Sequence, residues 1–168
     1  MMGSSPGATL LTQLRRDAEF HYGQTGRHPS APLFVLLLVN PSLRALALMR
    51  LAASSSGPLH LLWRNLLMSL HASDVASGAV LEAPIDCPHP VGIVVGQGAR
   101  VGPRVRIFQH VTLGRSRSGG YPNVQEGSTL YGGCLIAGAI SVGPAAIVGA
   151  NVVVTADVPR DSIVGRRN

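Results

Sequence analysis

Residues 124–154 read VQEGSTLYGGCLIAGAISVGPAAIVGANVVV, and every sixth residue of this stretch is a large aliphatic one. The same step occurs upstream, before an interruption of the pattern. The members of the series are Val95, Val101, Ile107, Leu113, Val124, Leu130, Ile136, Val142, Val148 and Val154. A six-residue period fits neither an α-helix nor long strands, but it fits a chain that turns a corner every six residues with one aliphatic side chain inside. The repeat predicts a parallel β-helix.

A second set of residues keeps the same period in another phase. Its members are Ala99, Val105, Val111, Ser128, Cys134, Ile140, Ala146, Val152 and Val158. Glycine directly follows the large aliphatic residue at Gly96, Gly102, Gly114, Gly143 and Gly149. A residue without a side chain suits a corner, where the backbone needs a positive φ or close contact between coils. Both features strengthen the β-helix prediction.

Residues 115–123, RSRSGGYPN, interrupt the repeat and contain no large aliphatic residue. The chain must leave the coil here and return before Val124. A loop that projects from a rigid rod is a natural place for ligand contacts. The alternative, a tolerated surface insertion, stays open.

The N-terminal part of the chain follows a different pattern. Residues 8–72 are rich in Leu, Ala and Arg, and their apolar residues recur at spacings of three and four, which predicts helices. Breaks at 26–32, 40–41 and 54–58 divide this part into three or four short helices.

We therefore expect a helical region over residues 1–73 and a mainly β domain, the β-helix, over residues 74–168, with the loop at 115–123. An apolar stripe in the last helix is expected to contact the core or another subunit, with a membrane surface as the alternative. The stripe consists of Leu59, Leu62, Trp63, Leu66 and Leu67.

The composition restricts the classes of function. The net charge of +6 is spread along the chain, and its fourteen basic residues, all arginines, suit an anionic ligand such as a phosphate-bearing cofactor. Nucleic-acid binding is not expected, because three Tyr, three Phe and one Trp are too few to interleave with the basic residues. The two cysteines lack CxxC spacing, so reduced thiols are expected. No leader and no transmembrane segment are recognised, which favours a soluble cytoplasmic protein.

Three segments carry a resemblance to a known family: PHPVGIVVGQGARVG (88–102), VRIFQHVTLG (105–114) and VGANVVVTADVPRDSIVG (148–165). They are similar to the motifs of serine acetyltransferases and the related polysaccharide O-acetyltransferases. The resemblance implies a left-handed parallel β-helix that forms a homotrimer, with active sites between subunits. A dimer of trimers is an open alternative. The resemblance also implies acetyl-CoA as co-substrate, a hydroxyl acceptor and no metal.

His89 matches the family's catalytic histidine. A neutral imidazole can take the proton from an alcohol as its oxygen attacks the thioester carbonyl, and backbone N–H groups of a coil turn would stabilise the oxyanion. In serine acetyltransferases an aspartate precedes this histidine, but here the residue is Pro88. Asp86, the nearest acid, is the candidate to orient His89, or it holds its own turn. His110 is a second candidate active-site residue, because its neighbours should point inward and its own side chain outward.

The resemblance also implies a set of cofactor contacts. Small residues there would let the pantetheine arm lie against the backbone, although coil corners need small residues in any case. The matching residues are Gly114, Gly132, Gly133 and Ala150. The terminal Arg166 and Arg167 are candidates to meet a CoA phosphate.

The acceptor is less clear from the resemblance. The family's loop ends in an Arg-His pair that helps to hold serine, and Gly120 and Tyr121 occupy those places here. Arg115 or Arg117 could grip a carboxylate instead, or both are solvated loop residues. Tyr121, Arg115 and Arg117 are therefore the candidate substrate-binding residues. These departures weaken L-serine as the acceptor and favour a sugar or another hydroxyl compound.

Other functions also occur on this fold. A non-catalytic β-helical scaffold or binding protein is the main alternative, since the fold hosts both. A γ-type carbonic anhydrase needs three zinc-binding histidines, and the β-helical region contains only His89 and His110. A complex of cysteine-synthase type is not expected, because the sequence ends soon after the repeat.

Overall fold

The structure, a computed structural model, describes residues 8–117 and 119–165. Within these residues the chain forms four helices and then fourteen short strands. The helices are α1 (Leu10–Gly23), α2 (Leu33–Val39), α3 (Pro41–Ser54) and α4 (Gly57–His71). The strands are β1 (Asp74–Val75), β2 (Val80–Leu81), β3 (Ile85–Asp86), β4 (Val94–Val95), β5 (Arg100–Val101), β6 (Val105–Ile107), β7 (Thr112–Gly114), β8 (Asn123–Val124), β9 (Thr129–Leu130), β10 (Leu135–Ala137), β11 (Ser141–Val142), β12 (Ile147–Val148), β13 (Val153–Val154) and β14 (Ile163–Val164).

The helix boundaries follow local signals in the sequence. Asn40 caps α3, because its side-chain oxygen accepts hydrogen bonds from the amides of Ser42 and Leu43. Pro41 occupies the first turn of α3, where a missing N–H costs nothing. Helix α4 ends where Ala72 adopts a left-handed conformation with φ 50°. The four helices confirm the predicted helical region, with breaks at or next to the predicted positions.

The strands form three parallel sheets, which are the three faces of a rod. The first sheet has the order β1-β4-β7-β10-β13, the second β2-β5-β8-β11 and the third β3-β6-β9-β12-β14. Successive coils are hydrogen-bonded along the rod, as in the bond of 2.9 Å from the Val94 amide to the Val111 carbonyl. The first four coils each place one strand in every sheet in turn, and the last coil places strands in the first and third sheets, which confirms the parallel β-helix.

The six-residue series forms the inside of the rod. All ten members of the first series are buried, with at most 5% of each residue exposed. The second series is buried as well, except for the half-buried Ile140. Equivalent residues of neighbouring coils stack on each other: Leu113 lies in register between Val95 and Ile136. Burying each such side chain contributes roughly 1.5–3 kcal/mol, so the stack is the main source of the rod's stability.

A buried ion pair ties α1 and α3 to the first coil. Arg50 donates from Nε and Nη2 to the two carboxylate oxygens of Asp17, at 2.7 and 2.8 Å, and neither residue is more than 4% exposed. The Ile85 amide donates to Asp17 at 2.9 Å, and Nη1 of Arg50 donates to the Leu81 carbonyl at 2.6 Å. The helices and the β-helix consequently share one core, and the division of the chain at residue 74 stays an interpretation.

The helical region also carries apolar residues on its surface. Of the predicted stripe in α4, Leu67 is buried and Trp63 is half-buried, whereas Leu59, Leu62 and Leu66 are exposed. Among residues 8–117 and 119–165, no single helix is long and apolar enough to cross a membrane. Helices α2 and α3 together reach that length and hydropathy, but they meet at 103°.

Candidate active site

The corners between the third and the first sheet line up along one side of the rod, here called the His89 edge. It consists of residues 88–92, 108–110, 131–133 and 149–151, which follow β3, β6, β9 and β12. Each corner contains one residue with a left-handed backbone: Gly92, His110, Gly133 and Asn151, with φ between 56° and 75°. This conformation lets the chain turn sharply from one face of the rod to the next.

His89 lies at the beginning of this edge, on a turn between Pro88 and Pro90. A hydrogen bond of 2.8 Å from the Val91 amide to the His89 carbonyl closes the turn. His89 is exposed, and its ring centroid lies 6.1 Å from that of Phe108 on the next coil. An exposed imidazole on a hydrogen-bonded turn is suited to exchange a proton with a bound hydroxyl group.

Phe108 and Tyr131 form an aromatic stack next to His89. Their ring centroids are 5.0 Å apart with an interplanar angle of 23°, and the Arg106 guanidinium lies 5.4 Å from the Phe108 centroid. Stacking and cation–π contacts hold the two rings on the edge. Neither residue is among the site residues predicted from the sequence, although a signal was present. Each directly follows an inward aliphatic residue, where glycine is the commonest residue in this chain.

His110 lies on the same edge, one coil after His89. Its side chain is exposed, as predicted, and its φ is 58°. The ring covers Gly92, since a Cβ at that residue would lie 2.2 Å from Nδ1 of His110. The His110 amide also donates to the Val91 carbonyl at 2.8 Å. His110 thus packs on the turn that carries His89, and its role in the reaction stays a prediction.

Asp86 has partners other than His89. Its Oδ1 contacts Nδ1 of His21 in α1 at 2.7 Å, and its Oδ2 accepts from Nε of Arg106 at 3.2 Å. Only 1% of Asp86 is exposed. Of the hydrogen bonds formed by residues 8–117 and 119–165, none joins Asp86 to His89. The predicted role of Asp86 in orienting His89 is therefore corrected: helix α1 covers β3, so this outward carboxylate meets His21 instead.

Three of the four predicted cofactor residues, Gly132, Gly133 and Ala150, lie on the His89 edge. Gly132 is in close contact with Gln109, whose Nε2 would lie 2.8 Å from a Cβ at residue 132. Gly114 ends β7 at the opposite side of the first sheet, next to the loop. The structure therefore brings three of these residues together beyond His89 and places the fourth across the sheet.

The predicted loop lies between β7 and β8, at a corner between the first and the second sheet. The Tyr121 ring packs on the backbone of Gly96 and Gly98, where an added Cβ would lie 2.4 and 2.5 Å from ring atoms. Arg115 and Arg117 are exposed. Within one chain these three candidate substrate-binding residues therefore lie at a different corner from His89.

Two further predictions concern metal binding, which is not expected, and the C-terminal arginines. In the part of the chain that the structure describes, no group of three or more His, Cys, Asp or Glu residues could hold a metal ion. Arg166 and Arg167, the candidate contacts of a CoA phosphate, lie outside the described residues.

Comparison with known proteins identifies the class. No family model matches the chain. A serine acetyltransferase solved in complex with CoA superposes with a TM-score of 0.77 at 28% identity, over 90% of this chain and 64% of that chain. The hexapeptide coils and this superposition define a left-handed β-helix of the acyltransferase class.

Sequence relatives narrow the class to a family. The serine acetyltransferase of Mycobacterium tuberculosis is 31% identical over 170 residues, which cover 92% of this chain and 70% of the relative. The plasmid serine acetyltransferase of Synechococcus elongatus is 27% identical over 181 residues, 95% of this chain and 56% of the relative. The chain belongs to the serine acetyltransferase family, and it spans 56% and 70% of the length of these two relatives.

Proposed function

We propose that the protein is an acetyl-CoA-dependent O-acetyltransferase in which His89 is the general base. The observation that carries this proposal is the exposed imidazole of His89 at the beginning of an edge whose third and fourth corners contain small residues. These residues are Gly132, Gly133 and Ala150. An extended pantetheine arm can lie along such corners with its acetyl group near His89. Membership of the family supports the same chemistry, and one relative was solved with CoA.

In the proposed reaction, the acceptor oxygen attacks the thioester carbonyl carbon while the His89 imidazole takes the hydroxyl proton. A C–O bond forms, the C–S bond breaks, and the proton passes from the imidazolium to the CoA thiolate that leaves. Backbone N–H groups of the His89 edge are the candidate donors to the oxyanion. No residue of this scheme requires a metal ion.

L-serine is the first acceptor to consider, because the relatives are serine acetyltransferases. A larger hydroxyl compound such as a sugar is the second candidate, and the aromatic stack favours it. Phe108 and Tyr131 offer an apolar surface beside His89 that a sugar ring can cover and free serine cannot. The ring of Tyr121, which stands in place of a polar family residue, packs on the rod.

We further propose that three copies assemble around the first sheet. Its outward side chains include Val94, Leu135 and Val153, which are 38%, 36% and 66% exposed. A stripe of exposed aliphatic residues on a flat sheet favours contact with another chain. Since the first sheet borders the His89 edge, a neighbouring subunit there would form the second wall of a cleft over His89. A dimer of trimers and a cytoplasmic location stay predictions.

The test of the proposed function is thiol release from acetyl-CoA, with L-serine, L-homoserine and simple sugars as acceptors. We expect turnover with one of these acceptors, and we expect His89→Ala to lower kcat by about 10²–10⁴, because the base is lost. The matched control is His28→Ala, which removes an exposed imidazole between α1 and α2 and should leave kcat unchanged.

Two results would contradict the proposal. A folded His89→Ala protein with wild-type turnover would exclude His89 as the base. No thiol release with any acceptor, together with no CoA binding by calorimetry, would favour the non-catalytic scaffold.

A further inference from the structure

The helical region holds the turn that carries His89. From α3, the Ser42 hydroxyl donates to the Pro88 carbonyl at 3.3 Å. From the end of α4, the His71 carbonyl accepts a hydrogen bond of 3.1 Å from the Gly92 amide. These contacts lie on either side of His89, so both ends of its turn are attached to helices.

The His71 side chain supplies a third contact, with the Pro90 carbonyl. His71 is only 4% exposed, and its Nε2 accepts from Nε of Arg44 at 3.4 Å. With Nε2 as the acceptor, Nδ1 carries the proton and is the ring atom able to donate to the Pro90 carbonyl. Burial, and then the positive charge of Arg44, lower the pKa of His71. The ring is therefore neutral at neutral pH, as this pair of contacts requires.

We propose that His71 is a positioning residue for His89: it holds turn 88–92 in the conformation that presents the His89 imidazole to a bound acceptor. This inference rests on the proposed role of His89 as the base. Burying an imidazole at residue 71 has a desolvation cost that an apolar side chain would not have. The polar contacts of His71 therefore indicate a role beyond filling the core. Ser42, which is 3% exposed, acts in the same way on Pro88.

The kinetic test compares His71→Leu, which removes both side-chain contacts, with His71→Asn, which keeps a donor. His60→Asn is the matched control. His60 lies in the same helix as His71, about three turns earlier, and its Nδ1 contacts a backbone carbonyl, that of Ala52, at 2.9 Å. We expect His71→Leu to lower kcat about tenfold or more, with KM for acetyl-CoA within about twofold, since a small displacement of the base slows the reaction. His71→Asn should recover most of kcat, and His60→Asn should keep it.

Hydrogen exchange tests the same inference without turnover. In His71→Leu, the Val91 and Gly92 amides should exchange about tenfold or more faster than in His60→Asn, because their turn has lost its support. Ser42→Ala is a second, smaller change that remains informative if His71→Leu does not fold. It should speed the exchange of the same amides, by a smaller factor.

The outcomes separate the two proposals. If folded His71→Leu protein matches His60→Asn in kcat and in the exchange of residues 88–92, the positioning role is overturned. If His71→Leu is unfolded, wild-type exchange of the same amides in Ser42→Ala would overturn the proposed support of this turn by the helices. Wild-type turnover in His89→Ala would instead refute the proposed base, and that result is read from a different variant.

Discussion

His89 and His71 are the same type of residue in opposite surroundings. His89 is exposed on the edge of the rod, where its imidazole can meet a hydroxyl group. His71 is buried beside Arg44, which keeps its ring neutral and engaged with backbone and side-chain partners. A third histidine, His21, is occupied by the Asp86 carboxylate. The surroundings of the imidazoles therefore distinguish the candidate base, His89, from His71 and His21, whose rings contact neighbouring polar groups.

The two cysteines give a prediction at the same scale. Both are free and buried. Burial raises the pKa of the Cys134 thiol to about 12. Burial, followed by the charges of Asp86 and Asp17, also raises the pKa of Cys87. Since the thiolate is the reactive form, we expect almost no reaction of the native protein with a disulfide reagent at mildly alkaline pH, and reaction of both thiols in denaturant.

A matched control for this measurement is Ser30→Cys, which adds a thiol at an exposed position. It should react at once in the native protein. Rapid labelling of Cys87 or Cys134 without denaturant would contradict their burial. The prediction also bears on the activity assay, because unreactive protein thiols do not add to the thiol released from acetyl-CoA.

Among the elements, α1, α3 and the first coil meet at the ion pair of Asp17 with Arg50. Removing the charge with Asp17→Asn leaves the buried guanidinium without its counter-ion. We expect the free energy of unfolding, measured by urea denaturation, to fall by about 3–5 kcal/mol. Asp161→Asn is the control, since the pair of Asp161 with Arg160 is exposed and should contribute little. Equal effects of the two variants would show that the buried pair is not needed for docking the helices.

At the scale of the whole molecule, the faces of the rod differ in polarity. The second sheet presents Arg100, Asn123 and Ser141 outward, whereas the first sheet presents its aliphatic stripe. This difference favours the first sheet for the proposed contact between subunits, because charged side chains are costly to desolvate in an interface.

The prediction for the assembly is a mass of three chains by light scattering. Leu135→Glu combined with Val153→Glu should dissociate the trimer, because two carboxylates would be buried without partners. The control is Ile163→Glu on the third sheet, which changes a residue that is 74% exposed and should leave the mass unchanged. A wild-type protein that stays monomeric at micromolar concentration would contradict the proposed trimer, as would dissociation by the control alone.

Several features of the rod could be read from local spacing. The inward residues from Val95 to Val154 recur at a fixed step, so the period alone predicted that they lie inside. The interruption of the period after Gly114 predicted the position of the loop. The position of His89 followed from a contiguous motif. Ile140 is only half-buried, and its carbonyl accepts a hydrogen bond of 2.9 Å from the Asn123 amide at the end of the loop.

The partners of polar residues could not be read in this way. Asp86 and His21 are 65 positions apart, and Asp17 is 68 positions from the Ile85 amide that it binds. Whether a carboxylate meets a nearby histidine or a distant one depends on how the helices pack on the first coil. The amino-acid sequence alone specified the rod, its interior and the candidate base, because these depend on periodicity and adjacency. Only the tertiary structure decided which side chains support that base, because contacts between distant parts of the chain leave no periodic signal.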